Sequence, residues 1–330
     1  MKRLLFFINP NAGHAEIRSS LMEVLAIFCK GGYEPTVHMT TGPRDITRQI
    51  AERGTQYDLI VCTGGDGTLN EAVSGLMALP YEKRPPLGYI PGGTVNDVAS
   101  TLGLSKDPIR AAQEIVGGRL YPLDIGSFGP DRYFTYVAAF GIFTDVPYET
   151  PQEDKRIWGR LAYIMNGAGA LGRLKPTHVR VYYEDRKEEA DVLVGLVTST
   201  TSVGGFKATK DLGISLNDGL YEMILVRATK TLAEFNLAAT RALRLDFDND
   251  SFISTQTGAL RFEFDEPVSW TVDGEFGGSV TEVEIHNEHR AIDIVVPYGR
   301  RQSEPSLCRR ARRSRLSRHL RTVYRHFYHV

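Results

Sequence analysis

The stretch DLIVCTGGDGTLNEAV, residues 58–73, decides the fold predicted for this chain of 330 residues. Its apolar run has the length of a buried strand, and helical spacing of apolar residues begins again at Leu69. Between them lie three glycines in four positions, Gly64, Gly65 and Gly67. One tight turn does not need so many glycines, but a loop whose backbone amides approach a phosphate does. The stretch therefore predicts a strand, a phosphate-binding turn and a helix.

Short apolar runs alternate with segments of helical length on both sides of this stretch. Strands are predicted at residues 4–8, 36–39, 58–62 and 87–90, with helices such as 17–29 and 69–79 between them. This alternation indicates an α/β fold whose N-terminal domain, residues 1–120, has a Rossmann-like parallel sheet. Beyond it, many short runs alternate apolar and polar residues, which is typical of antiparallel strands. We expect residues 121–299 to form an antiparallel β-sandwich domain, interrupted by helices at 155–171 and 232–243.

Two further loops follow predicted parallel strands in the same way. Residues 4–8 lead into Asn9-Pro10-Asn11-Ala12-Gly13, and residues 87–90 lead into Pro91-Gly92-Gly93-Thr94-Val95-Asn96-Asp97. Parallel strands place such loops at one edge of the sheet, where ligands bind. The side chains of Thr68, Thr94 and Asn96 add hydrogen-bond donors. Asp66 would repel phosphate oxygens unless a divalent cation lay between them.

The charge of the chain is divided unevenly. The whole sequence has 39 basic and 40 acidic residues, yet residues 300–330 contain ten arginines and a single acid, Glu304. An acidic body therefore ends in an arginine-rich tail, which indicates an anionic surface as a partner. With 42% hydrophobic residues the sequence is typical of a globular protein. Three scattered cysteines argue against a disulfide framework or a structural zinc site and favour a reducing cytosol.

The motifs in order along the chain resemble one family. Residues 64–71 (GGDGTLNE) and 93–97 (GTVND), followed by LDIG at 123–126, YETP at 148–151, DG at 218–219 and VDGE at 272–275, resemble the diacylglycerol-kinase catalytic family of lipid kinases. The similarity is greatest to the soluble bacterial diacylglycerol kinases and extends over about residues 3–297. The GGDG element alone is shared with NAD kinases and 6-phosphofructokinases, but the complete series is more specific.

The resemblance implies ATP-dependent phosphorylation of a lipid hydroxyl in a cleft between the two domains, with diacylglycerol as the leading substrate. The implied ATP-binding positions are Asn9, Pro10, Asn11, Ala12, Gly13, Thr40, Gly64, Gly65, Asp66, Gly67, Thr68, Leu69, Asn70, Glu71, Gly93, Thr94 and Asn96.

Two neighbouring acids, Asp273 and Glu275, lie at the tip of a predicted hairpin. An alcohol that attacks a phosphoryl group must lose its proton, and a nearby carboxylate can accept it. The resemblance makes Glu275 this proton acceptor, while Asp273 is either a rival base or a partner that orients Glu275. An ordinary Asp-Gly hairpin turn with a solvated glutamate is the simpler alternative.

Two magnesium sites follow from the same reasoning. The resemblance implies a structural Mg²⁺ held by Asp218 and by the backbone carbonyls of Ser215 and Leu220, although an Asn-Asp-Gly turn explains this segment equally well. A catalytic Mg²⁺ near Asp66 would bridge the ATP phosphates. His286 and His289 are expected in a loop between two strands rather than at a zinc site.

The tail extends the prediction to a partner. Leu316, Leu320, Val323, Tyr324 and Phe327 form one helical stripe with arginines between them, as in a helix that lies at a membrane interface. We therefore expect residues 303–330 to bind an anionic membrane surface, rather than nucleic acid, and expect a cytoplasmic protein associated peripherally with the membrane. A solvated tail and a lid on the acidic body are the alternatives.

Other functions and assemblies stay open at this point. The acceptor could be another lipid alcohol, such as a sphingoid base, phosphatidylglycerol or undecaprenol. A non-catalytic nucleotide-sensing protein that binds membranes is the alternative from another class. The oligomeric state is open, a homodimer included.

Overall fold

A computed structural model describes residues 1–10, 15–93, 96–141, 175–199, 202–203, 206–207, 216–243 and 246–298. Residues 1–298 belong to one compact unit. The predicted domain boundary after residue 120 remains a prediction. Several predicted features lie outside the described residues, namely Asn11, Ala12, Gly13, Thr94, Ser215, the segment 148–151, the helix 155–171 and the tail.

The N-terminal part is a parallel sheet with helices, as the alternating pattern predicts. Its four strands lie in the order β2-β1-β3-β4, and each neighbouring pair is parallel. The elements are β1 (Lys2–Ile8), α1 (Ala15–Lys30), β2 (Tyr33–Met39), α2 (Asp45–Arg53), β3 (Leu59–Gly64), α3 (Asp66–Met77), β4 (Leu87–Pro91), α4 (Asp97–Leu102) and α5 (Pro108–Gly117).

Apolar side chains on both faces of β1 explain why helices cover the sheet on both sides. Leu4 and Phe6 pack in one apolar cluster with side chains of α1 and α5, whereas Leu5 and Phe7 pack in another with side chains of α2 and α3. Burial of each such side chain contributes about 1.5–3 kcal/mol. This packing holds β1, β3 and β4 in one layer, so that the three strands end at the same edge of the sheet.

In the rest of the described chain, most neighbouring strands pair in antiparallel fashion. Its elements are β5 (Arg119–Phe128), β6 (Arg132–Phe134), β7 (Val137–Gly141), β8 (Thr177–Tyr183), β9 (Arg186–Thr198), β10 (Ser202–Val203), β11 (Phe206–Lys207), β12 (Tyr221–Arg227), α6 (Leu232–Leu243), β13 (Phe252–Thr257), β14 (Ala259–Val272) and β15 (Glu275–Val296). Strand β4 pairs with β15 at Leu87 and Ile294, which joins both parts in one sheet of thirteen strands among the described residues. No helix in the described ranges is long and apolar enough to cross a membrane.

One part of the sequence prediction is wrong. His286 and His289 do not lie in a loop between two strands, because β15 runs without a break from Glu275 to Val296. Strand β5 pairs with β15 on both sides of these histidines, and a register shift between Glu288 and Ile292 accommodates the polar residues. An alternation interrupted by polar residues therefore marked a β-bulge here, not the end of a strand.

Candidate active site

The loops after β3 and β4 contact each other through their backbones. The amide of Gly92 donates a hydrogen bond to the carbonyl oxygen of Gly64 at 2.7 Å. A Cβ atom at Gly93 would lie 2.6 Å from the Cα atom of Gly65, and one at Gly64 would lie 2.3 Å from Thr68 Oγ1. Close packing between the two loops therefore requires glycine at Gly93, and the approach of the Thr68 side chain requires it at Gly64.

The buried side chains of Tyr89 and Asn96 link the two loops by hydrogen bonds. The hydroxyl of Tyr89, in β4, lies 3.0 Å from the carbonyl oxygen of Gly64 and 3.1 Å from Asn96 Oδ1. Asn96 is 1% exposed, and its Oδ1 also accepts a hydrogen bond from the amide of Gly93 at 3.0 Å. Asn96 therefore stabilises the loop from inside, although the sequence suggested a phosphate contact. Tyr89 was not predicted as part of the site. The feature that indicates it is a tyrosine within a buried strand, because its hydroxyl needs a hydrogen-bond partner there.

Several predicted nucleotide-binding residues surround one cavity of about 780 Å³. Asn9, after β1, donates to Thr68 Oγ1 at 3.3 Å, and the amide of Thr40 donates to the carbonyl oxygen of Ile8 at 2.9 Å. Leu69 differs from them because its side chain is fully buried and its amide donates to the carbonyl oxygen of Gly65. The predicted residues that line the cavity are Asn9, Thr40, Thr68, Asn70, Glu71 and Glu275.

Asp66 is the first residue of α3 and has an unusual carboxylate. Its Oδ2 accepts a hydrogen bond from the amide of Asp97 at 3.4 Å, while its Oδ1 is buried and has no hydrogen-bond partner in the described part of the chain. Burial and, to a lesser extent, the carboxylates of Asp97 and Asp273 raise the pKa of Asp66 to about 7. An unpartnered carboxylate oxygen beside the glycine-rich loops fits Mg²⁺, which usually keeps water and phosphate oxygens as its other ligands. Accordingly, the described residues contain no cluster of three or more His, Cys, Asp or Glu that could hold a metal alone.

Asp273 forms the hairpin turn between β14 and β15 together with Gly274. The two residues have φ values of 48° and 84°, as a two-residue type I′ turn requires. The Asp273 carboxylate is buried, and its Oδ2 accepts hydrogen bonds from the Thr135 amide (2.6 Å), the Thr135 hydroxyl (2.8 Å) and Asn70 Nδ2 (2.9 Å). Its Oδ1 accepts from the amides of Tyr136 and Val137, each at 3.1 Å.

This arrangement gives Asp273 a structural position. Burial raises the pKa of the Asp273 carboxyl, while the hydrogen bonds from Thr135, Asn70 and Val137 act in the opposite direction. Five donors surround the carboxylate, so it faces protein groups on both oxygens and ties the hairpin to α3 and to the segment between β6 and β7. The sequence analysis did not identify the donors at residues 135–137.

Glu275 lies two residues further along and has the opposite environment. Its side chain is exposed and lines the cavity. A Cβ atom at Gly67 would lie 2.8 Å from Glu275 Oε1, so the carboxylate lies directly over the glycine-rich loop that precedes Thr68. The structure therefore brings Glu275 and the glycine-rich loop together across more than two hundred residues of sequence.

The second predicted metal segment forms a hydrogen-bonded turn. Asp218 Oδ1 accepts a hydrogen bond from the amide of Leu220 at 3.1 Å, and the carbonyl oxygen of Leu220 accepts one from Asn287 Nδ2 at 3.3 Å. Partial burial, and then the nearby carboxylate of Asp124, raise the pKa of Asp218. Asp124 itself accepts hydrogen bonds from the amides of Gly219 and Arg290 at 2.7 Å each. The Leu220 carbonyl and one oxygen of Asp218 can each accept a second interaction, so this turn is compatible with a cation.

Comparisons with known proteins identify the family of this chain. The diacylglycerol kinase catalytic domain family matches residues 3–128. The diacylglycerol kinase of Bacillus subtilis (strain 168) is 38% identical over 301 residues, which cover 90% of this chain and 97% of that protein. A diacylglycerol kinase of Staphylococcus epidermidis is 35% identical over 300 residues, with coverage of 90% and 92%. A crystal structure of a diacylglycerol kinase from Bacillus anthracis str. Sterne has the same fold, with a TM-score of 0.71, 21% identity and coverage of 90% and 97%. The chain belongs to the diacylglycerol kinase family of lipid kinases, and the resemblance read from its motifs is confirmed.

Proposed function

We propose that this family member transfers the γ-phosphoryl group of ATP to the free hydroxyl of a membrane lipid, with diacylglycerol as the acceptor and phosphatidic acid as the product. The observation that carries the proposal is the shared cavity of about 780 Å³. Asn9 and Thr68 from the glycine-rich loops line it, and so does Glu275 from the hairpin. A kinase needs both groups in one cavity, because the phosphate donor and the base must reach the same hydroxyl.

The loops after β1, β3 and β4 would hold the ATP phosphates. Backbone amides of the glycine-rich loop and the N-terminus of α3 supply partial positive charge at that place. Asp66 would hold Mg²⁺, and the ion would neutralise charge that develops on the transferred phosphoryl group. Thr40 would contact the nucleotide from the end of β2.

Glu275 would act as the general base. Its carboxylate accepts the proton of the lipid hydroxyl while the hydroxyl oxygen forms a bond to the γ-phosphorus, and the bond from that phosphorus to ADP breaks. Asp273 would be a positioning residue, because its buried carboxylate holds the turn that carries Glu275. This assignment separates the two acids that the sequence left as rivals.

Residues outside the cavity would bind the substrates and a structural metal ion and would attach the protein to the membrane. In this proposal the Rossmann-like part, residues 1–120, binds ATP and the β-sandwich part, residues 121–299, binds the lipid. Ser215, Asp218 and Leu220 would hold a structural Mg²⁺. Residues 303–330, with their arginines and apolar stripe, would attach the protein to an anionic membrane surface from the cytoplasm, at about 1 kcal/mol per basic residue near the surface.

Two measurements test the proposal. The first incubates the protein with Mg²⁺, γ-labelled ATP and vesicles that contain diacylglycerol, a sphingoid base, phosphatidylglycerol or undecaprenol, one at a time. Label in phosphatidic acid is expected; label in another lipid alone would reassign the substrate, and no labelled lipid would favour a nucleotide-sensing protein.

The second compares full-length protein with a variant that lacks residues 303–330. Deletion should weaken binding to anionic vesicles, with a smaller effect at high salt, and should leave ATP binding unchanged. Unchanged vesicle binding would refute the role of the tail.

A further inference from the structure

Arg44 adopts a backbone conformation that residues with a side chain rarely take. It immediately precedes α2, and its φ and ψ angles are 62° and 9°, in the left-handed region. Glycine adopts this region without steric cost, whereas an arginine does so only where the surrounding structure imposes it. Such a residue is a candidate for a functional role when its side chain reaches a site.

The neighbours of Arg44 impose this conformation from two sides. Its amide donates a hydrogen bond to Glu71 Oε1, on α3, at 2.9 Å. The next residue, Asp45, is 5% exposed, and its carboxylate accepts hydrogen bonds from the amide of Thr41 (3.0 Å), the hydroxyl of Thr41 (3.1 Å) and Nε2 of His38 (3.0 Å). Residues 40–44 therefore form a loop that is anchored to α3 and to its own helix.

This loop forms one wall of the proposed nucleotide cavity. Arg44 and Thr40 line the cavity, and so do the predicted phosphate-binding residues Asn9 and Thr68. The other arginine of the cavity, Arg132, already donates a hydrogen bond to the carbonyl oxygen of Phe276 at 2.7 Å. Within the described residues, the guanidinium of Arg44 has no acidic partner.

The acidic residues that line the cavity would repel an anionic nucleotide unless a cationic group lay nearby. Glu71, Asp131 and Glu275 also line it, so an anionic nucleotide would meet three carboxylates there. A planar guanidinium with five donors suits phosphate oxygens better than any other side chain.

We propose that Arg44 is a nucleotide-binding residue whose guanidinium contacts the phosphate chain of the bound nucleotide. This inference rests on the proposed function, because it takes the cavity to be the ATP site. It adds a specific phosphate contact outside the three glycine-rich loops.

The variant Arg44→Gly separates binding from folding, because glycine suits the left-handed conformation that arginine occupies. Binding of Mg²⁺·ADP and of adenosine is measured by calorimetry, and the melting temperature is measured for each protein. We expect Arg44→Gly to weaken ADP binding about 10-fold or more, which is the effect of a lost charge-assisted contact. Adenosine binding should be unchanged. The melting temperature should be unchanged or higher. Arg44→Lys should lose less affinity because it keeps the charge. The control is Arg110→Gln on α5, an exposed arginine paired with Glu114, which should bind ADP like the wild type.

Three outcomes would overturn the inference: ADP affinity of Arg44→Gly equal to that of the wild type, an equal loss for adenosine and ADP, or a lower melting temperature that accounts for the loss. Lipid phosphorylation by the wild type is measured in parallel. An active wild type with an unchanged KM for ATP in Arg44→Gly would contradict only the role of Arg44. An inactive wild type that binds ADP through Arg44 would contradict only the proposed function.

Discussion

Replacement of Asp273 by asparagine should destabilise the protein, although the two side chains have nearly the same shape. The Asp273 carboxylate accepts five hydrogen bonds, three at Oδ2 and two at Oδ1. An asparagine has a single oxygen, and in either orientation its NH₂ group would face at least two donors. Hydrogen bonds to a charged group contribute about 1.5–3 kcal/mol each, so the loss of two should cost about 3–6 kcal/mol. That loss is a large fraction of a typical unfolding free energy of about 5–15 kcal/mol.

Thermal denaturation followed by circular dichroism measures this effect. At about 2–4 °C per kcal/mol for a large domain, Asp273→Asn should melt roughly 6–24 °C below the wild type. Glu275→Gln is the matched control, because Glu275 is exposed and surface substitutions usually change stability by less than about 0.5 kcal/mol. Equal melting temperatures for Asp273→Asn and the wild type would refute the anchoring role, and so would an equally large loss in Glu275→Gln.

Two further predictions concern the loop below Glu275. Because the raised pKa of Asp66, about 7, disfavours the charged carboxylate that Mg²⁺ needs, binding of Mg²⁺·ADP should weaken by up to about 10-fold per pH unit below 7 and level off above it. Without Mg²⁺, the free energy of unfolding should change with pH in the opposite direction. The raised pKa of Asp66 favours the folded state at low pH, and this contribution is lost as the pH rises to 7. Calorimetry and melting at pH 5.5 and 8 check both signs, and Asp66→Asn should remove both dependences; a variant that keeps them would contradict the assignment. Gly67→Ala places a methyl group 2.8 Å from Glu275 Oε1, so it should displace that flexible carboxylate and lower kcat by about 10-fold or more with little change in melting temperature. An unchanged kcat would show that the carboxylate position is not critical.

Local chemistry explains what the sequence predicted well. Residues 58–73 contain a buried strand, a glycine turn and the start of a helix within sixteen residues, so their structure depends mostly on neighbours in the sequence. Asp66 at the start of α3 and the Asp273-Gly274 hairpin turn follow from such short-range rules. The cavity beside these loops follows in turn from the parallel order of β1, β3 and β4.

Features that depend on distant partners could not be predicted in this way. The donors that surround Asp273 come from Asn70 and residues 135–137, and no local pattern indicates their approach. Arginine does not favour the left-handed region, so the sequence does not predict the backbone conformation of Arg44. His289 was assigned to a loop because the pairing of β5 with residues 285–296 of β15 depends on tertiary contacts.

In the proposed mechanism Glu275 accepts the proton of the lipid hydroxyl. Single-turnover transfer of labelled phosphate from ATP to diacylglycerol in vesicles, with wild type and Glu275→Gln at saturating substrates, measures this step. We expect a transfer rate about 10²–10⁴-fold lower in Glu275→Gln, with unchanged Mg²⁺·ADP affinity and melting temperature. Transfer by Glu275→Gln at the wild-type rate would contradict it.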